Sequence, residues 1–324
     1  MVALSLAAAC AGGSTPGAGG PVTWTGARAL TATEDAPSGV ATDGARVLFT
    51  TGRTQVGENA LRVAEVDGGA ASTVVAVDPG GLIPNGRVAL DGEVAYVAAG
   101  NGIVRQPLAG GVGTIVVDGR PALVDEVVVA GDHLWWTTYQ YGEPDRIEVA
   151  RMPKAGGAVE VVAAGVARGF DNLHPDGDAA LVASPQGVLR VRAGQPPETV
   201  VSGEAVGGVV TRLAVDDRRI YVLTTGAHYR LMAVPREGGA AVVLADDVDS
   251  DADLAVVGDQ VVFFRLVGGV GSGGRAELQA VPGGGGPVRR VASGAYPDGD
   301  LAPVGDGRVV FSADRRVWVA SVNG

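Results

Sequence analysis

Apolar residues along this 324-residue chain fall in short runs of four to eight, with Val and Ala dominant, separated by Gly- and Asp-rich breaks. Runs of that length bounded by turn residues predict strands, and no stretch carries the 3.6-residue periodicity of a long helix. One phrase recurs seven times: small apolar residues, an Asp-Gly-type turn, then an apolar strand. It reads Val40, Ala41, Thr42, Asp43, Gly44 before 46–49, and Val88, Ala89, Leu90, Asp91, Gly92 before 93–96. The turn returns at Gly131, Gly177, Asp216, Gly258 and Asp306, so that successive anchors from Asp43 lie 48, 40, 46, 39, 42 and 48 residues apart.

Self-similarity at roughly 40 to 45 residues is the sequence mark of a propeller blade of four antiparallel strands. The second repeat predicts strand a at 87–90, b at 94–98, c at 102–108 and d at 114–117, with Gly110 and Gly111 turning c into d. The same Gly pair stands at Gly68 and Gly69, Gly156 and Gly157, Gly238 and Gly239, and within 283–286. After the seventh anchor the chain supplies strand b (308–312) and strand c (317–322) but no strand d. A surplus strand at the N-terminal side, 22–25 or 29–33, is expected to complete that blade. Closure removes the exposed sheet edges that invite aggregation. The expected fold is all-β: one seven-bladed β-propeller over residues 22–324, closed by an N-terminal strand.

Composition adds limits. The formal net charge of −11 sets the chain apart from nucleic-acid binders and from proteins that dock electrostatically on anionic lipid. The one cysteine, Cys10, excludes a disulfide framework and a thiolate-rich metal site. It follows an apolar stretch (3–9) and precedes a Gly-, Ser- and Pro-rich tether (11–20). This arrangement resembles a bacterial lipoprotein signal, with Ala7 where that pattern usually has Leu. The resemblance implies a signal-peptide remnant at 1–9, acylation of Cys10 and a flexible tether over 10–21. It further implies a monomer held on the periplasmic side of the envelope by lipid alone, and Ala11 fits outer-membrane sorting.

Candidate chemistry falls where the repeat is broken. The d–a and b–c loops share one face of a propeller, and three segments there stand out. Residues 246–253 hold five aspartates, and oxygen-rich runs of this kind suit Ca²⁺. An EF-hand reading fails because Leu254 and Gln260 replace the required Gly and Glu, so the run is read as a solvated acidic loop and no cofactor is expected. His174 sits in Asp171, Asn172, Leu173, His174, Pro175, Asp176, Gly177 and is read as a structural residue. The third segment is aromatic and polar: Trp135, Trp136, Tyr139, Tyr141 and Arg146, with His228, Tyr229 and Arg230 across the ring. Amphipathic aromatics beside polar groups suit binding surfaces. Strand alternation predicts one of the two Trp in the core and the other available. Asp171, Asn172 and Arg212 complete the candidate binding set.

No Gly-x-Ser-x-Gly elbow, Walker loop or His-Glu-x-x-His appears. The chain resembles bacterial periplasmic and lipoprotein propellers of the TolB-like, quinoprotein-like and NHL-type groups; the Asp-Gly turn after His174 is similar to the turn of TolB-type rings. The resemblance covers 22–324 and speaks to architecture, not activity; the expected role is a non-catalytic scaffold that binds an envelope protein or peptidoglycan-associated ligand on its loop face. The alternative is a metal-dependent lactonase or other hydrolase, for which Asn85, Asp125, Glu126, Asp171, Asn172, Asp253 and Asp300 supply funnel oxygens.

Overall fold

In the computed structural model, residues 23–32, 37–51, 60–76, 84–100, 102–118, 123–139, 147–166, 173–225, 229–248, 253–267 and 274–323 are described. They form seven four-stranded antiparallel sheets. Six blades are continuous in sequence. The seventh is built from Pro297–Val304, Arg308–Ala313 and Arg316–Ser321, with Ala27–Ala29 as its outermost strand. Blade 2 has strands Pro84–Asp91, Val94–Ala99, Gly102–Pro107 and Thr114–Asp118, within a few residues of the sequence reading.

Ring closure uses a segment that overlaps the second one expected and starts two residues before it. The closing strand is Ala27–Ala29, paired with Trp318–Ala320, and the Leu30 N–H continues the pairing to the Val317 carbonyl. Upstream, Thr25 bridges instead to Ser293 of blade 6. Gly26 makes the change of partner feasible. Its φ of +87° suits glycine, and a Cβ there would stand 2.6 Å from the Val291 carbonyl oxygen. Trp24 then drops between blades 6 and 7, edge-on to Phe311 at 4.7 Å and Phe264 at 5.9 Å between ring centroids. The N-terminal segment therefore staples two blades.

The core is divided rather than single. Seven apolar clusters are formed by the described residues, each in the interface between two neighbouring blades. This division explains why the b strands read as continuous apolar runs. Both of their faces are covered, as in Ala179–Ser184, which is buried at every position. It also corrects the reading of the Trp pair. Trp135 packs toward blade 4 and Trp136 toward blade 2, so both are buried and neither serves a binding surface.

Turn chemistry follows the repeat. In the c–d turns at Gly68–Gly69, Gly110–Gly111, Gly156–Gly157, Gly238–Gly239 and Gly285–Gly286, both glycines have positive φ. A β-carbon would be strained at each. Because strands alternate in direction, the a–b and c–d turns lie on one face. The d–a and b–c connections lie on the other.

Candidate functional site

The inner strands are Ser38–Thr42, Pro84–Asp91, Leu123–Ala130, Leu173–Asp176, Val209–Val215, Ala255–Val257 and Pro297–Val304. Their last paired positions before the a–b turn are Asp43, Asp91, Ala130, Asp176, Asp216, Val257 and Val304. Four residues earlier stand, among the described residues, Gly39, Arg87, Glu126, Arg212, Asp253 and Asp300. Equivalent positions around one axis form a single layer, and five of these six residues are charged. The next position, toward the turn, is Val40, Val88, Val127, Leu173, Leu213, Leu254 and Leu301, all buried. A polar ring thus sits at the loop-side end of the channel, and the residues one step toward the turn pack into the interfaces between blades.

Arg87 spans the ring. Its guanidinium donates to both carboxylate oxygens of Asp253, at 2.5 and 2.7 Å. Blades 2 and 6 are as nearly opposite as seven blades permit, so the pair crosses the axis. Asp253 is 3% exposed, and Arg212 approaches it at 3.4 Å. Asp300 lies 4.0 Å from Arg87. Burial alone would lower the Arg87 pKa; the Asp253, Glu126 and Asp300 charges outweigh it and hold the pKa well above its usual value.

The three carboxylates also stitch each blade to the next. Glu126 accepts the Leu173 N–H at 2.8 Å, Asp253 that of Leu301 at 3.4 Å, and Asp300 that of Gly39 at 3.0 Å. Each acceptor belongs to one blade and each donor to its successor. Glu126 differs from the other two in having no ion pair among the described residues. Burial pushes its carboxyl up to about 7, against the lowering effects of Arg87 and the Leu173 N–H; Asp253 and Asp125 add to the rise.

Of the binding residues expected from sequence, Arg212 alone is placed in the ring. Tyr229 is exposed on the loop-side rim, and Arg230 beside it pairs with Asp246 at 3.0 Å. Tyr139 ends strand b of blade 3, His133–Tyr139. Tyr141, Arg146, Asp171, Asn172 and His228 lie outside the described residues, as does Cys10. Asn85 is on the inner strand of blade 2, and Asp125 is exposed next to Glu126. Asp253 corrects the reading of 246–253 as wholly solvated: the last carboxylate of the run is buried and doubly hydrogen-bonded. His174 lines the channel, its Nδ1 engaged with the Pro175 carbonyl at 2.8 Å; burial lowers its pKa. Sequence reading missed Arg87, although its position four residues before the turn marked it.

Carboxylates held by guanidinium and backbone N–H groups form an ion-pair network. Among the described residues no three His, Cys, Asp or Glu side chains are placed to hold a metal ion.

No family model matches this chain, and no curated protein does. Solved structures match in fold. An oligogalacturonate lyase in complex with manganese superposes with a TM-score of 0.67 at 13% identity, over 93% of this chain and 96% of that one. YCF48 bound to D1 peptide gives 0.60 at 11% identity, covering 93% and 95%. TolB from Acinetobacter baumannii gives 0.56 at 18% identity, covering 82% and 69%. The chain is a seven-bladed propeller of TolB-like architecture, and at such identities the likeness concerns fold alone.

Proposed function

We propose that this protein is a non-catalytic lipoprotein of the cell envelope whose loop face binds a protein ligand. The carrying observation is a group of exposed apolar and aromatic residues on that face of blades 5 to 7. Val209 begins an inner strand, Tyr229 precedes strand c, Val267 ends strand b, and Tyr296 joins strand d to the next inner strand. All four positions belong to the loop-side end of the ring. Exposed aromatics are characteristic anchors of protein interfaces.

Two further points support the reading. The described ring carboxylates are engaged by Arg87, Arg212 and backbone N–H groups, which works against a hydrolase that must present them to a metal. A propeller of this fold, YCF48, is bound to a peptide. Anchoring through Cys10 on the periplasmic side, in the outer membrane of a diderm cell, rests on the signal-like N-terminus.

The test is crosslinking in envelope preparations with mass-spectrometric identification. One envelope protein is expected to be captured by the wild type and by Arg218→Ala on the opposite face, and lost with Tyr229→Ala plus Tyr296→Ala. Equal capture by all three proteins refutes the surface. Intact mass reporting an unmodified Cys10 refutes the anchor. Stabilisation by Ca²⁺, Zn²⁺ or Mn²⁺ that disappears in Asp171→Ala or Asn172→Ala favours the metal-dependent lactonase or hydrolase instead.

A further inference from the structure

Among the described residues the charged ring does not balance. Arg87 and Arg212 stand with Glu126, Asp253 and Asp300, two cations against three carboxylates. Asp253 and Asp300 take the arginines, and the surplus falls on Glu126. One of its oxygens is bonded to the Leu173 N–H, and it has no other hydrogen bond or ion pair among the described residues. It is 5% exposed, and a lone buried carboxylate is costly to ionise.

Glu126 lines a cavity of about 200 Å³ that runs from the ring toward the a–b turns. The lining includes Leu173, Leu213, Leu254, Leu301, Val215 and Val256, together with Arg87 and Asp253 of the ring, so apolar residues and the charged layer share one cavity. His174 is on the same lining. A carbonyl can only accept, so Nδ1 donates to Pro175 and neutral His174 keeps Nε2 as an acceptor. The volume equals roughly seven liquid waters, enough for about five methylenes and a charged head.

We infer that the channel binds a primary alkylammonium group, its stem against the leucine and valine wall and its head at Glu126. The site goes beyond the proposed partner surface and does not depend on it. An anion is disfavoured because both arginines already have carboxylate partners. A divalent cation would have to displace the two-point Arg87 pair. An ammonium needs only Glu126 and an acceptor such as Nε2, and its methylenes replace water against apolar carbon. Because burial raises the Glu126 carboxyl to about 7, binding of a cation at pH 7 is expected to release a fraction of a proton.

Calorimetry on the full chain at pH 7 tests this, with n-butylammonium, the tripeptide acetyl-Gly-Lys-Gly-amide and n-butanol as probes. Two buffers of different ionisation heat count the protons released. The wild type is expected to bind at least one cation saturably with proton release. Glu126→Gln keeps an acceptor for Leu173 and is expected to bind it roughly tenfold more weakly or not at all. Butylammonium binding alone identifies a free amine as the source; peptide binding identifies a lysine side chain. The inference is overturned if neither cation binds, if butanol binds as tightly, or if Glu126→Gln binds like the wild type while melting as a folded protein. The Tyr229 and Tyr296 variants are expected to bind normally, which separates this site from the partner surface.

Discussion

Arg87 of the second blade grips Asp253 of the sixth, 166 residues away, through two hydrogen bonds that cross the central axis. Neighbouring blades are joined by apolar interfaces; this pair joins opposite sides of the ring. Removing one partner leaves a buried charge without its counter-ion. Arg87→Met is therefore expected to destabilise by about 3–5 kcal/mol. The double variant Arg87→Met with Asp253→Leu is expected to recover most of that loss. Urea unfolding of the four proteins of the cycle measures the coupling, and simple additivity would show that the pair is not a unit.

Glu126 makes stability depend on pH. Its folded pKa of about 7 lies above the ordinary value of 4.5, so the folded state holds the proton more tightly than the unfolded chain. The associated stability is complete below about pH 4.5 and is lost as pH rises through about 7. At 1.36 kcal/mol per unit the loss is of order 3 kcal/mol. Urea midpoints of Glu126→Gln and wild type are expected to converge near pH 5 and separate by pH 8, with the variant the more stable. A constant difference across that range would contradict the assignment.

The closing staple is expected to be sensitive out of proportion to its length. Trp24→Ala empties a site between Phe264 and Phe311 and is expected to cost about 3–5 kcal/mol. A Cβ on Gly294 would meet the Trp24 ring at 2.5 Å, so Gly294→Ala attacks the same contact. The two losses are expected to be far less than additive, as calorimetric melting of the single and double variants will report. Deleting 20–34 is expected to lower the melting temperature by many degrees.

Tyr229 and Tyr296 are exposed, and replacing both with Ser is expected to change stability by no more than about 0.5 kcal/mol each. Loss of crosslinking to the envelope partner with an unchanged melt is the expected result. A melt lowered by several degrees would mark the pair as structural.

Much of the ring was legible in the chain because it depends on local signals. Gly92, Gly131, Gly177 and Gly258 make the a–b turns at positive φ, and the paired glycines make the c–d turns. Each acts within a few residues, so its period could be counted. The charged layer was half legible. Arg212, Glu126, Asp253 and Asp300 were noted singly, but their common distance from the turn was not, and Arg87 passed unnoticed. Trp135 and Trp136 misled because alternation assumes one solvent-facing side, and in this ring neighbouring blades cover both.

By itself the sequence determined seven blades, the strand order within each and the need for an N-terminal strand at closure, all consequences of local periodicity and chain length. The tertiary structure decided which segment closes the ring, because that depends on where Gly26 lets the backbone change partners and Trp24 find a site. It also decided that Arg87 meets Asp253 and that Glu126 is left with the surplus charge. Those relations join residues far apart in the chain, and curvature of the whole ring is what brings them to one axis.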